Sequence, residues 1–192
     1  VTQRGLYPGL VGDALGYQLS FDPTPGLFTR RNLQRQFPFV AAGAAVPTTG
    51  KLLLSRIPLE SGDTITNIDF LTGTTASATQ TSGFVGLWSP AGAKLAVSAD
   101  FGSTVLAAST WIRKALAAPT TVIGSGLYYV GICVAAGTME TLVGLTHIPP
   151  NTGIGEASVA FETTATYTTP ATAPATLPAL TARNDVPLFV LS

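Results

Sequence analysis

The chain has 192 residues, a length suited to one domain, yet ten basic and ten acidic side chains make only 10% of it charged, against roughly 25% in an ordinary soluble domain. Its net charge of zero excludes a clustered basic groove for phosphate backbones and an acidic solvating tail, so no nucleic-acid partner is expected. Cys133 is the only cysteine and His147 the only histidine, which excludes an intrachain disulfide and zinc sites of the usual kinds.

Residues 1–46 read as an arm or anchoring segment. Pro8, Pro23 and Pro25 punctuate it, with Gly5, Gly9, Gly12, Gly16 and Gly26 between them. It holds Arg4, Arg30, Arg31 and Arg35 of the ten basic residues. The run from Thr29 to Gln36 reads either as a short helix capped by Thr29 and ended by Pro38, or as a solvated polar turn. Arg30, Arg31 and Arg35 are the candidate assembly residues, positioned to dock on an acidic neighbouring subunit. No secretory signal is expected, because Val1-Thr2-Gln3-Arg4 runs straight into the Gly/Pro-rich stretch. The longest strongly apolar run, Phe37 to Val46, is too short to span a bilayer and contains Pro38, so no membrane partner is expected.

Residues 47–192 read as one β-sandwich domain, with short apolar segments separated by turn residues. Lys51 to Ile57 is a predicted strand. Asp63 to Phe70 follows the turn Glu60-Ser61-Gly62, and a regular strand would put Thr64, Thr66, Ile68 and Phe70 on one face. Residues 83–98 read as a hairpin about Pro90-Ala91-Gly92, with Phe84 and Trp88 on one face and Val85 and Leu87 on the other. In its second strand Leu95 and Val97 are expected to point inward. Residues 103–118 fit a helix by spacing and an edge strand ended by Pro119 equally well.

Leu127 to Ala135 is apolar on both faces and reads as a central strand, covered on one side by core and on the other by a second layer or a subunit. Gly131 would admit a close backbone approach. Ala157 to Phe161 is a further strand candidate. The Thr-, Ala- and Pro-rich stretch from Thr163 to Pro178 would in isolation be an extended, mobile loop. The apolar tail, Asp185 to Leu191, is expected to close the sheet as a terminal strand.

No catalytic pattern is readable. The ten carboxylates are scattered singly, and G-x-S-x-G, phosphate-loop and dinucleotide motifs are missing. Cys133 lies in an apolar run and reads as a small buried hydrophobe; His147 precedes Ile148-Pro149-Pro150 and reads as a loop residue. The expectation is no enzyme, no cofactor and no metal. Trp88 and Trp111 are the aromatic candidates for sugar stacking or for an interface, which makes carbohydrate an alternative partner.

Ile57-Pro58-Leu59-Glu60-Ser61-Gly62-Asp63-Thr64-Ile65-Thr66-Asn67-Ile68, with Leu87-Trp88-Ser89-Pro90-Ala91-Gly92, resembles β-sandwich domains in virion proteins of tailed bacteriophages, especially those of actinobacteria. Gly126-Leu127-Tyr128-Tyr129-Val130-Gly131 and Ala135-Ala136-Gly137-Thr138 carry the same resemblance, which covers roughly residues 50–192. These motifs mark turns and strand starts, so no catalytic or ligand residue is carried over. The resemblance implies an all-β, jelly-roll-like antiparallel sandwich with an extended N-terminal arm. It implies a virion component made in a host bacterial cytoplasm, either a capsid decoration or head-associated protein or a minor tail or tail-fibre protein with a receptor-binding sandwich. Its partners would be copies of itself and the major capsid or tail protein.

Overall fold

The computed structural model describes residues 19–21, 28–31, 41–146 and 160–192. Fourteen strands follow one another, with no α-helix among the described residues. They are β1 Leu19–Phe21, β2 Phe28–Arg31, β3 Ala41–Ala45, β4 Lys51–Leu59, β5 Thr64–Leu71, β6 Ser82–Trp88, β7 Lys94–Val97, β8 Trp111–Thr121, β9 Gly126–Ala135, β10 Leu142–Thr146, β11 Ala160–Thr166, β12 Leu180–Arg183, β13 Asp185–Pro187 and β14 Phe189–Leu191. Every pair is antiparallel. A six-stranded sheet runs β12-β11-β4-β9-β6-β7; a five-stranded sheet, β1-β2-β14-β5-β8, and a three-stranded one, β13-β10-β3, complete the fold. The chain is an all-β sandwich of antiparallel sheets. None of the described helical segments is long and apolar enough to cross a membrane.

The main core lies between these layers. Leu53 and Ile57 of β4, Val85 and Leu87 of β6 and Val130, Ile132 and Val134 of β9 meet Ile65, Ile68 and Phe70 of β5 and Phe189 and Leu191 of β14. Each fully buried side chain of this size contributes roughly 1.5–3 kcal/mol. Strand β9 is central and buried on both faces, as its sequence predicts. At Gly131 an added methyl would sit 2.6 Å from Leu54 Cδ2 and 2.8 Å from the Leu53 carbonyl oxygen, so the glycine lets β4 come close.

What covers the second face of β9 is this chain itself. Leu52, Leu54, Phe84, Trp88, Tyr129 and Cys133 form a second core with Tyr167 and Ala173, and Leu177 and Leu180 pack on it. The Thr/Ala/Pro stretch, expected as a mobile loop, is therefore a strap. Its Tyr167 N–H donates to the Gly50 carbonyl (2.6 Å), the Lys94 N–H to the Ala175 carbonyl (2.8 Å), and the Leu177 N–H to the Gly92 carbonyl (2.8 Å). Low complexity did not prevent order, because a few apolar side chains in the segment had a complete apolar face to land on.

Two bulges correct the predicted strand faces. The N–H groups of Thr66 and Asn67 both donate to the Ser192 carbonyl, at 2.7 and 2.8 Å, so two residues of β5 oppose one. That extra residue brings Ile65 as well as Ile68 and Phe70 into the core, and leaves Thr64 exposed. In the 82–97 hairpin, Leu87 faces Ala96 but Trp88 faces Lys94, so Leu95 is the bulged residue and turns outward. The expected split of Phe84 and Trp88 from Val85 and Leu87 holds across the two cores.

Of residues 103–118, which fit helix and edge strand equally well, 103–110 form turns and coil and 111–118 belong to β8, at the edge of the five-stranded sheet. The strand continues through Pro119 because a register shift against β5 accommodates it: Ile65 faces Thr120, and Asn67 faces Ala115. The segment expected as a separate arm contributes β1, β2 and β3 to the sheets. Of the run from Thr29 to Gln36, which reads as a short helix or a polar turn, Thr29–Arg31 belong to strand β2, which pairs with β14, and 32–36 lie outside the described residues. The apolar tail is split: β13 joins β10, and β14 lies inside its sheet between β2 and β5. Strand β11 begins at Ala160; residues 157–159 lie outside the described residues.

Candidate functional site at the β8 edge

Across three strands the outer face of the five-stranded sheet carries one row, Val190 of β14 opposite Asp69 of β5, opposite Arg113 of β8. Antiparallel register puts such side chains side by side. Arg113 donates from Nε to Asp69 Oδ1 and from Nη2 to Asp69 Oδ2, both at 2.8 Å. This two-pronged geometry holds the guanidinium in a fixed plane. The hydrogen bonds and charge of Asp69 raise the Arg113 pKa above its ordinary value. Asp69 is almost closed to solvent while Arg113 lies largely open.

Trp111 stands two residues before Arg113, on the same face of β8, and is 54% exposed. Asp69, Trp111, Ile112, Arg113 and Val190 line a shallow groove of about 380 Å³. Both oxygens of the Asp69 carboxylate accept from Arg113, which leaves the remaining guanidinium N–H groups facing the groove's open side.

Trp88, the other aromatic candidate, is completely buried, and its Nε1–H donates to the Pro174 carbonyl at 3.0 Å. It cannot stack on a sugar; it anchors the strap. Arg30 and Arg31 fall in β2, at register positions opposite Leu191 and Val190, and Arg35 and His147 lie outside the described residues. Cys133 is buried, its thiol donates to the Tyr167 carbonyl at 3.5 Å, and burial, with the charge of Glu140, pushes its pKa up to about 12. It is the inert hydrophobe its neighbours suggested.

Two features were not legible in the sequence. Asp69 and Arg113 are 44 residues apart, and only the pairing of β5 with β8 joins them. Glu140 is fully buried with neither carboxylate oxygen in a hydrogen bond of ordinary geometry, and burial, offset in part by its own backbone N–H, lifts its pKa from 4.5 to about 7. Among the described residues no three of His, Cys, Asp and Glu gather as a metal site. No protein family and no curated protein matches this chain.

Proposed function

We propose that this chain is a structural component of a phage virion, a capsid decoration or head-associated protein that binds the particle and stabilises it through subunit contacts. The observation that carries the reading is the exposed apolar tip beyond β8. Ile123, 92% exposed, lies on the turn between β8 and β9, and Leu127, at the start of β9, is 38% exposed, although both cores of the domain are already closed by other side chains. An apolar tip on a chain with so little charge is suited to burial against a neighbouring subunit. The motifs around residues 57–68, 87–92 and 126–138 support the virion reading, and Arg30, Arg31 and Arg35 remain the candidates for an electrostatic contact.

The test is immunogold labelling and mass spectrometry of phage particles from a culture that produces the chain. Capsid labelling that is lost with Ile123→Ser, while the variant melts like the parent, supports decoration. Absence of the chain from the particles refutes the reading. A minor tail or tail-fibre role is the second reading, favoured by the open Trp111 groove, and tail labelling would select it.

A further inference from the structure

We propose that the groove beside Trp111 is a carbohydrate site that takes a neutral pyranose, with the indole as platform and Arg113 as the hydroxyl-binding group. A half-exposed indole on a rigid strand offers an apolar ring face, which suits the C–H face of a sugar. Two of the five guanidinium N–H groups of Arg113 are spent on Asp69, which leaves three donors in a fixed plane next to that face. Adjacent equatorial hydroxyls match such a planar set.

The charge balance selects the ligand class. Among the described lining residues Asp69 offsets the charge of Arg113, so this pair by itself offers little net attraction to a phosphate or carboxylate; Arg31 holds the next register position, opposite Val190. A purely apolar ligand would cover the guanidinium without replacing its hydrogen bonds to water, which costs free energy. A neutral polyol with one apolar face avoids both losses. The volume of about 380 Å³ is near the lower end of small-molecule sites, roughly 300–1,000 Å³, and suits one or two sugar rings. The backbone positions are set by the β14-β5-β8 register, so the groups are in place before any ligand arrives.

This inference goes beyond the virion reading and can fail without it, since binding is measured on the purified chain and particle association is not involved. The probes are the methyl glycosides of glucose, galactose, mannose and N-acetylglucosamine, each titrated to about 50 mM, where a shallow site with a millimolar dissociation constant approaches saturation. Saturation-transfer NMR and amide shift mapping are the readouts. We expect saturable binding of at least one glycoside, with shifts at residues 69, 111–113 and 190. Trp111→Ala should weaken it by at least about tenfold, and Arg113→Lys, which keeps the charge but loses the fork, by several-fold. No saturable binding by any of the four, shifts confined to other residues, or unchanged affinity in folded Trp111→Ala would overturn the proposal. The shift map decides the question even if a variant does not fold.

Discussion

Raising the pH from 5 to 8 should destabilise this protein, and Glu140→Gln should abolish that loss. Glu140 is fully buried, and neither oxygen has a hydrogen-bond partner of ordinary geometry. Burial therefore raises its pKa from 4.5 to about 7, a rise that its own backbone N–H offsets only in part. Between these two values the folded chain holds a proton that the unfolded chain has released. Stability is then complete below about pH 4.5 and falls as the pH rises through about 7. A gap of about 2.5 units, at about 1.4 kcal/mol per unit, is roughly 3–4 kcal/mol at alkaline pH. For a domain of this size that is roughly 7–14 °C in Tm. Thermal melts of both proteins at pH 5, 6, 7 and 8 give the answer as a difference, which removes contributions from any group they share. The reasoning is refuted if the parent melts at the same temperature throughout, or if Glu140→Gln keeps the parent's slope.

Other substitutions test the packing. Gly131→Ala should cost about 1–3 kcal/mol in urea unfolding, because the new methyl meets the Leu53 carbonyl of the paired β4, which cannot move aside alone. Trp88→Ala should cost about 3–5 kcal/mol and release the strap, so thermolysin should cut near residues 168–178 sooner than elsewhere. Asp100→Asn should destabilise at pH 7 and progressively less as the pH falls below 3.8. Burial alone would raise the Asp100 pKa, but hydrogen bonds from the Gly83 and Gly102 N–H groups and the Ser82 hydroxyl outweigh it and leave it lowered. The stability this carboxylate contributes is present above its ordinary 3.8 and lost as the pH falls through the depressed value, which paired melts would read.

Much of the local architecture was legible because burial leaves a period-two mark on a strand. Phe84 and Trp88 alternate with Val85 and Leu87, and the fold sends each pair to its own core. The unbroken apolar run of β9 announced a strand with two covered faces. Alternation fails wherever a bulge adds a residue, since the rest of the strand then changes phase. That is why Leu95 was expected inside and lies outside, and why Ile65 joins Ile68 in the core. The Trp111 groove was half legible: an aromatic candidate was visible, but nothing local tied it to Asp69.

The sequence alone determined that this is an all-β chain, where its turns fall and which strand lies at the centre, because propensity, turn chemistry and alternation act over a few residues. It did not determine partners. β4 and β5 are joined by a tight turn at Gly62, with its φ of +95°, yet belong to opposite sheets. The strap covers β9 where a second subunit was equally expected, Trp88 is sealed while Trp111 stays open, and Glu140 is buried without a partner. Each of these outcomes depends on contacts between segments tens of residues apart. Only closing the whole sandwich decides which apolar face meets which, and which groups are left facing water.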